Sequence, residues 1–170
     1  KESRFFSILP LSAGLASSVM IYLSSKFTWS SPMYVMLNDF FSMRLHLGHE
    51  ALKKYTLQLF GTRGISFVGY GGRTESVLSY DYVDSSYVQM LFTYGILPVL
   101  LLVCLYIMRS WTLYREKHFL LLTTLSLIAA NCMFEAFWIR PSYNIFMFVL
   151  FALVPTVEFE SKKSKTRDSV

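Results

Sequence analysis

The sequence predicts an all-α integral membrane protein with about four membrane-spanning helices and one long, partly helical extracytoplasmic loop. Of its 170 residues, 54% are apolar and only 16% are charged, against about 25% charged residues in an average soluble domain. A soluble domain of this size needs more charge to cover its surface. The same composition excludes intrinsic disorder. The two cysteines, both inside apolar runs, exclude a disulfide scaffold.

Four apolar segments have the length, or nearly the length, of about 20 residues that a spanning helix needs. These predicted spans cover residues 5–23, 88–108, 119–139 and 143–157. The first two carry no charge, and the fourth is short for a bilayer. Proline and glycine inside the spans do not argue against them, since neighbouring helices can satisfy the freed backbone groups.

The basic residues orient the predicted spans. Nine of the 16 Lys and Arg residues fall within 27 residues at positions 1–4, 109–118 and 158–170. The positive-inside rule places these segments in the cytoplasm. The predicted organisation is therefore an N-terminal transmembrane helix (1–23), an extracytoplasmic loop (24–87), three transmembrane helices (88–157) and a basic cytoplasmic tail (158–170). Topology explains the basic pI of about 9.2 without a nucleic-acid partner.

The loop at residues 24–87 is far longer than two adjacent helices need, and such loops are usually functional. Ser31 followed by Pro32 predicts a helix start, and we expect this helix to end at Gly48. A second helix is predicted from residue 49 to residue 60, where Gly61 would stop it. Both helices are amphipathic enough to lie on the outer membrane surface. A glycine-rich turn at residues 69–72 follows.

Three arginines in the loop are candidate ligands for a phosphate or pyrophosphate, because the guanidinium offers a planar fork of donors. They are Arg44, Arg63 and Arg73. The alternative is that they are ordinary surface residues that balance the acidic side chains of the loop. His46 and His49 have no third ligand with matching spacing, so we predict no metal site there.

Glu135 is the one charged residue within the predicted spans. A carboxylate in a spanning helix is costly and is a functional hypothesis by default. It would lie about four residues, or roughly 6 Å, below the outer end of its helix, on one face with Asn131 and Trp138. The alternative is a structural ion pair with Arg140 at interfacial depth.

Three local patterns follow one another between residues 37 and 96: LNDFFSMRL (37–45) with LFG (59–61), then GYGG (69–72), then YVDSSY (82–87) with LFTYGI (91–96). On these patterns the chain resembles the C-terminal part of bacterial Wzy-type polysaccharide polymerases, which are related to O-antigen ligases. Ser85 stands where the family usually has an asparagine. Since the chain begins at Lys1, directly before an apolar run, we expect it to be part of a longer protein.

The resemblance implies a metal-independent glycosyltransferase of the C type, without a cofactor, on the outer face of the bacterial cytoplasmic membrane. The donor would be a growing O-antigen, capsule or exopolysaccharide glycan on a polyprenyl (undecaprenyl) pyrophosphate, and the acceptor a hydroxyl of one lipid-linked repeat unit. Implied partners are the bilayer, a chain-length regulator and a flippase. Pyrophosphate binding is assigned to the three arginines, Arg44 first.

The resemblance also suggests a base for the acceptor hydroxyl, with Asp84 as first choice, His46 as second and Glu135 as a third candidate. Asp84 has an alternative role, which is to cap the following helix.

Two other functions remain open beside the polymerase. A ligase would share the local patterns, although ligases often carry a histidine where this chain has Asp84, which favours a polymerase. A lipid-linked oligosaccharide flippase or other transporter would place ionisable groups near the bilayer midplane. Here the polar residues instead gather in the predicted outer loop. A purely structural membrane subunit is the remaining alternative.

Overall fold

The computed structural model describes residues 4–63, 65, 83–136, 138 and 144–150. All regular structure within these residues is helical, which confirms the predicted all-α class. The α-helices are α1 (Ser12–Lys26), α2 (Pro32–Phe40), α3 (Arg44–Lys54), α4 (Ser86–Thr93), α5 (Ile96–Arg115) and α6 (Phe119–Asn131). Short 3-10 helices lie at Arg4–Ser7, Leu9–Leu11 and Ile145–Leu150.

One helix among the described residues, α5, is long and apolar enough to cross a membrane. Helix α6 is apolar but has 13 residues, and α1 has 15. At about 1.5 Å per residue these two span roughly 20 and 22 Å, less than a hydrocarbon core of about 30 Å. The predicted fourth span lies mostly outside the described residues.

The predicted second span, residues 88–108, is wrong as a single helix. Helix α4 ends at Thr93, and Gly95 has a φ of +97° that interrupts the helical path before α5. The segment after α3 packs against this break, because Ile96 and Leu97 donate backbone hydrogen bonds to the carbonyls of Gln58 and Leu59 at 3.0 and 3.1 Å. Helix α5 then continues to Arg115, so most of the predicted cytoplasmic segment 109–118 is helical.

The two helices predicted in the long loop exist, but their boundary differs. The break lies at residues 41–43, where Ser42 and Met43 have positive φ angles of 49° and 67°. Asn38, which is fully buried, holds both sides of the break. Its carbonyl accepts the Met43 N–H at 2.8 Å, and its side-chain Oδ1 accepts the His46 N–H at 2.9 Å. The expected helix end at Gly48 is therefore wrong, and α3 ends at Lys54 rather than residue 60.

Gly48 instead lies in the middle of α3, where this helix packs on α1. A Cβ at Gly48 would lie 2.7 Å from Ser24 Oγ. The His49 Nδ1–H donates to the carbonyl of Ser24 at 2.9 Å. A helix of the predicted loop is thus attached to α1, the helix that contains most of the first predicted span.

The core forms around α1, which packs against α3, α4, α5 and α6 and buries Ala13 and Met20. Trp138 closes this core between α4 and α5. Trp138 is 1% exposed, with ring centroids 5.0 Å from Tyr87 and 5.9 Å from Tyr106. Burial raises the pKa of Tyr87, so its hydroxyl keeps the proton that it donates to the Ala129 carbonyl at 2.6 Å. The contact ties the start of α4 to the end of α6.

Candidate functional site

Two of the candidate residues, Arg44 and Glu135, form an ion pair across 91 positions of the chain. Arg44 is the first residue of α3, and its Nη2 lies 3.4 Å from Glu135 Oε1. Its Nε donates a hydrogen bond to the Phe134 carbonyl. The side chain therefore holds the backbone and the carboxylate of one turn. The Arg140 that sequence analysis offered as the partner of Glu135 lies outside the described residues.

The pair has one shielded and one exposed member. The Arg44 side chain is 15% exposed, and the Glu135 side chain is 52% exposed. Phe41 stacks on Phe134 with ring centroids 5.2 Å apart, and Phe40 packs edge-on to Phe41 at 5.1 Å. This aromatic cluster includes Phe134, whose carbonyl accepts the hydrogen bond from Arg44. The arrangement presents a carboxylate to the outside with a fixed cation behind it.

The prediction that Glu135 lies in a helix is wrong. Helix α6 ends at Asn131, and Glu135 follows in the turn after it, with its N–H still bonded to the Asn131 carbonyl at 3.1 Å. Since both residues follow the end of α6, Glu135 and Trp138 do not share a face of that helix. Glu135 is exposed, whereas Trp138 is buried.

Ser86, the first residue of α4, holds this turn in place and was missed by the sequence analysis. Its N–H donates to the Cys132 carbonyl at 3.0 Å, and its hydroxyl donates to the Glu135 carbonyl. The same hydroxyl accepts the Trp138 N–H at 3.2 Å. A serine at the start of a helix usually indicates a cap, so nothing in the sequence indicated that Ser86 contacts a distant turn instead.

Asp84 lies at the same end of α4 as Ser86. It is half-buried and stands two residues before the helix begins, while Ser85 occupies the N-cap position. Asp84 is therefore not at the N-cap position that the alternative role required. Ser85 is at that position, although its side chain makes no capping hydrogen bond. The structure brings Asp84 to the end of α4 that holds the Glu135 turn.

His46 is directed away from the Arg44 pair. It follows Arg44 by two residues, which is about 200° around a helix. Its ring lies against Phe27 and Trp29, with centroid distances of 5.7 and 5.1 Å. Within the described residues no three His, Cys, Asp or Glu side chains are placed to hold a metal ion.

Of the other two candidate arginines, Arg63 does not join Arg44. Arg63 is exposed and follows Thr62, whose N–H bonds the Phe92 carbonyl near the C-terminal end of α4. The Glu135 turn is held at the opposite end of this eight-residue helix, about 12 Å away along its axis. Arg73 and the glycine turn at 69–72 lie outside the described residues.

No family model matches the sequence, and neither a curated protein nor a solved structure matches it.

Proposed function

We propose that this chain polymerises lipid-linked oligosaccharide repeat units on the outer face of the cytoplasmic membrane, by glycosyl transfer from a polyprenyl-pyrophosphate-linked glycan. The observation that carries the proposal is the pair of Arg44 and Glu135, a shielded cation next to an exposed carboxylate. Such a transfer needs a cation for the leaving pyrophosphate and an acceptor for the proton of the attacking hydroxyl. The patterns shared with Wzy-type polymerases support the same function.

Arg44 is the group we assign to the pyrophosphate. Its Nε is engaged by the Phe134 carbonyl, which fixes the plane of the guanidinium. Donors at its outer end are then oriented before the substrate arrives. Interactions of a preorganised cation are stronger where apolar groups exclude water. The Arg44 side chain is largely shielded from water, and Phe134, whose carbonyl it bonds, stacks on Phe41.

The proposed step is a single displacement. The oxygen of the acceptor hydroxyl forms a bond to the anomeric carbon of the donor glycan. The bond from that carbon to the pyrophosphate oxygen breaks, and polyprenyl pyrophosphate leaves with the electron pair. The hydroxyl proton passes to a carboxylate. Glu135 is now the first candidate for this role, Asp84 is the second, and His46 is less favoured because its ring packs against Phe27 and Trp29.

The test replaces the pair in the full-length protein within its native cell. We expect Arg44→Ala and Glu135→Gln to abolish long glycan chains, while single lipid-linked repeats accumulate on the outer face. Lys53→Ala is the matched control, since Lys53 is an exposed cation on the same helix that pairs with Glu50 at 3.8 Å. Immunoblots of the membrane fraction check that each variant is present.

Two outcomes contradict the proposal. Chains of wild-type length from an Arg44→Ala variant would remove the assigned site. Repeats trapped on the cytoplasmic face after deletion of the gene would favour the flippase instead.

A further inference from the structure

Helix α2 is apolar on its exposed side. Met33, Met36 and Phe40 are 56%, 67% and 68% exposed, and at 100° per residue they lie within about 60° of one another on the helix. We call these three residues the α2 stripe. The opposite side of α2 carries the buried Asn38 and the half-buried Tyr34. Clusters of large exposed apolar side chains usually mark a contact surface.

We propose that the α2 stripe is buried among lipid acyl chains, so that α2 lies in the plane of the outer leaflet. This rests on the membrane location that is part of the proposed function. The polar residues fit such a placement. Asp39, which is exposed, lies about 100° around the helix from the middle of the stripe, at the level where a helix in the interface meets water.

Helix α3 does not share this placement. Its exposed side carries Glu50, Lys53 and Lys54, and its apolar side, with Leu45 and Ala51, is buried in the protein. The sequence predicted that both loop helices lie on the membrane surface. The exposed side chains assign lipid contact to α2 alone.

The chain path supports a lipid partner over a protein partner. Helix α2 begins six residues after the last residue of α1, so the two ends are at most about 20 Å apart. The exposed side of α1 carries Leu15, Val19 and Tyr22 at helical spacing. Lys26 ends α1, and the exposed Trp29 stands between the two helices. Both are residue types typical of the boundary between lipid and water. The apolar surface of α1 therefore leads through an interfacial segment to the α2 stripe.

The placement has a consequence for the candidate site. Phe40 of the stripe lies 6.2 Å from Phe134, ring centroid to centroid, and Phe134 directly precedes Glu135. Arg44 begins α3 four residues after Phe40. If α2 lies among the acyl chains, the Arg44–Glu135 pair lies at the level of the lipid phosphate groups. A pyrophosphate on a membrane-embedded lipid then reaches Arg44 without leaving the interface.

The test measures the depth of one labelled residue on each helix. Met36→Cys in a Cys104→Ser background is labelled with an environment-sensitive NBD fluorophore, and the full-length protein is reconstituted into phosphatidylcholine liposomes that contain lipids with a doxyl quencher at shallow or deep positions. Cys132 is 0% exposed and stays unlabelled. Met33→Cys is the second stripe position, should Met36→Cys fold poorly. Lys53→Cys on α3 and Leu100→Cys on α5 are the water and lipid controls.

We expect the Met36 and Leu100 positions to be quenched and the Lys53 position to remain unquenched, with the shallow quencher acting more strongly on Met36. An unquenched Met36 beside a quenched Leu100 overturns the placement of α2 but leaves the membrane location intact. A label at position 36 that no lipid quencher reaches, and whose emission indicates an apolar environment only at high protein density, would show that the α2 stripe contacts a second copy of the protein. That result also overturns the proposed lipid contact. An unquenched Leu100 contradicts the membrane location itself and, with it, the proposed function.

Discussion

At the residue scale, the ion pair of Arg44 and Glu135 depends on a third residue, Ser86, whose hydroxyl donates to the Glu135 carbonyl. Ser86 joins the start of α4 to the Glu135 turn through its N–H and its hydroxyl. If that turn moves, Glu135 moves relative to Arg44. Arg44 and Glu135 stood out in the sequence as chemical types, an arginine on an amphipathic helix and a carboxylate in an apolar run. The sequence did not indicate that these two residues pair, because they lie 91 positions apart and the pair forms only if α6 ends at Asn131.

We predict that Ser86→Ala destabilises the protein and lowers the proposed polymerising activity. The change removes a buried hydroxyl that donates to the Glu135 carbonyl and accepts from the Trp138 N–H, at a cost of about 1–3 kcal/mol. Thermal unfolding of the detergent-solubilised protein measures it. Ser85→Ala is the matched control, because the neighbouring Ser85 is equally buried and its hydroxyl has no hydrogen-bond partner among the described residues. Equal losses in both variants would show that Ser86 does not hold the turn.

At the element scale, a local signal set the start of α2, whereas contacts with the next element set its end. The Ser31–Pro32 pair placed the start of α2 correctly, since proline at the first helical position is favoured by the backbone itself. The end of α2 depends on Asn38, a polar residue in the last turn of α2 whose side chain bonds the first turn of α3. Gly48 appeared to end a helix, whereas its lack of a Cβ lets α3 approach α1. Glycine has both uses, and only the neighbouring helix decides between them.

We predict that Gly48→Ala destabilises the protein despite the gain of about 1 kcal/mol in helix propensity. Its Cβ would meet Ser24 Oγ at 2.7 Å and Ser24 Cβ at 3.0 Å, so α1 and α3 have to separate. Such overpacking costs about 1–3 kcal/mol, measured as a lower Tm. Gly14→Ala in α1 is the control, because its Cβ would meet the far end of the Ile107 side chain at 3.2 Å and Val103 Cγ1 at an ordinary contact distance of 3.9 Å. A Tm for Gly48→Ala at or above the wild-type value would contradict the close packing.

At the scale of the whole molecule, composition was enough to predict a helical chain, because long apolar runs with few charges suit helices that bury their own backbone groups. Composition was not enough to give the number and length of the helices. Gly95, with its positive φ, and the packing of Gln58 and Leu59 on the start of α5 divide one apolar run into α4 and α5. The packing of α3 on α1 also joins a predicted loop to a predicted span. Both depend on distant contacts that a local pattern does not contain.

The central claim is tested most directly with the purified full-length protein in liposomes, given single oligosaccharide repeats on polyprenyl pyrophosphate and EDTA. We predict glycans of two or more repeats, with one polyprenyl pyrophosphate released per new linkage. The double variant Arg44→Glu/Glu135→Arg keeps opposite charges at the pair and is predicted to leave single repeats unchanged. Single repeats left unchanged by the wild-type protein, or lengthened normally by the double variant, would contradict the account.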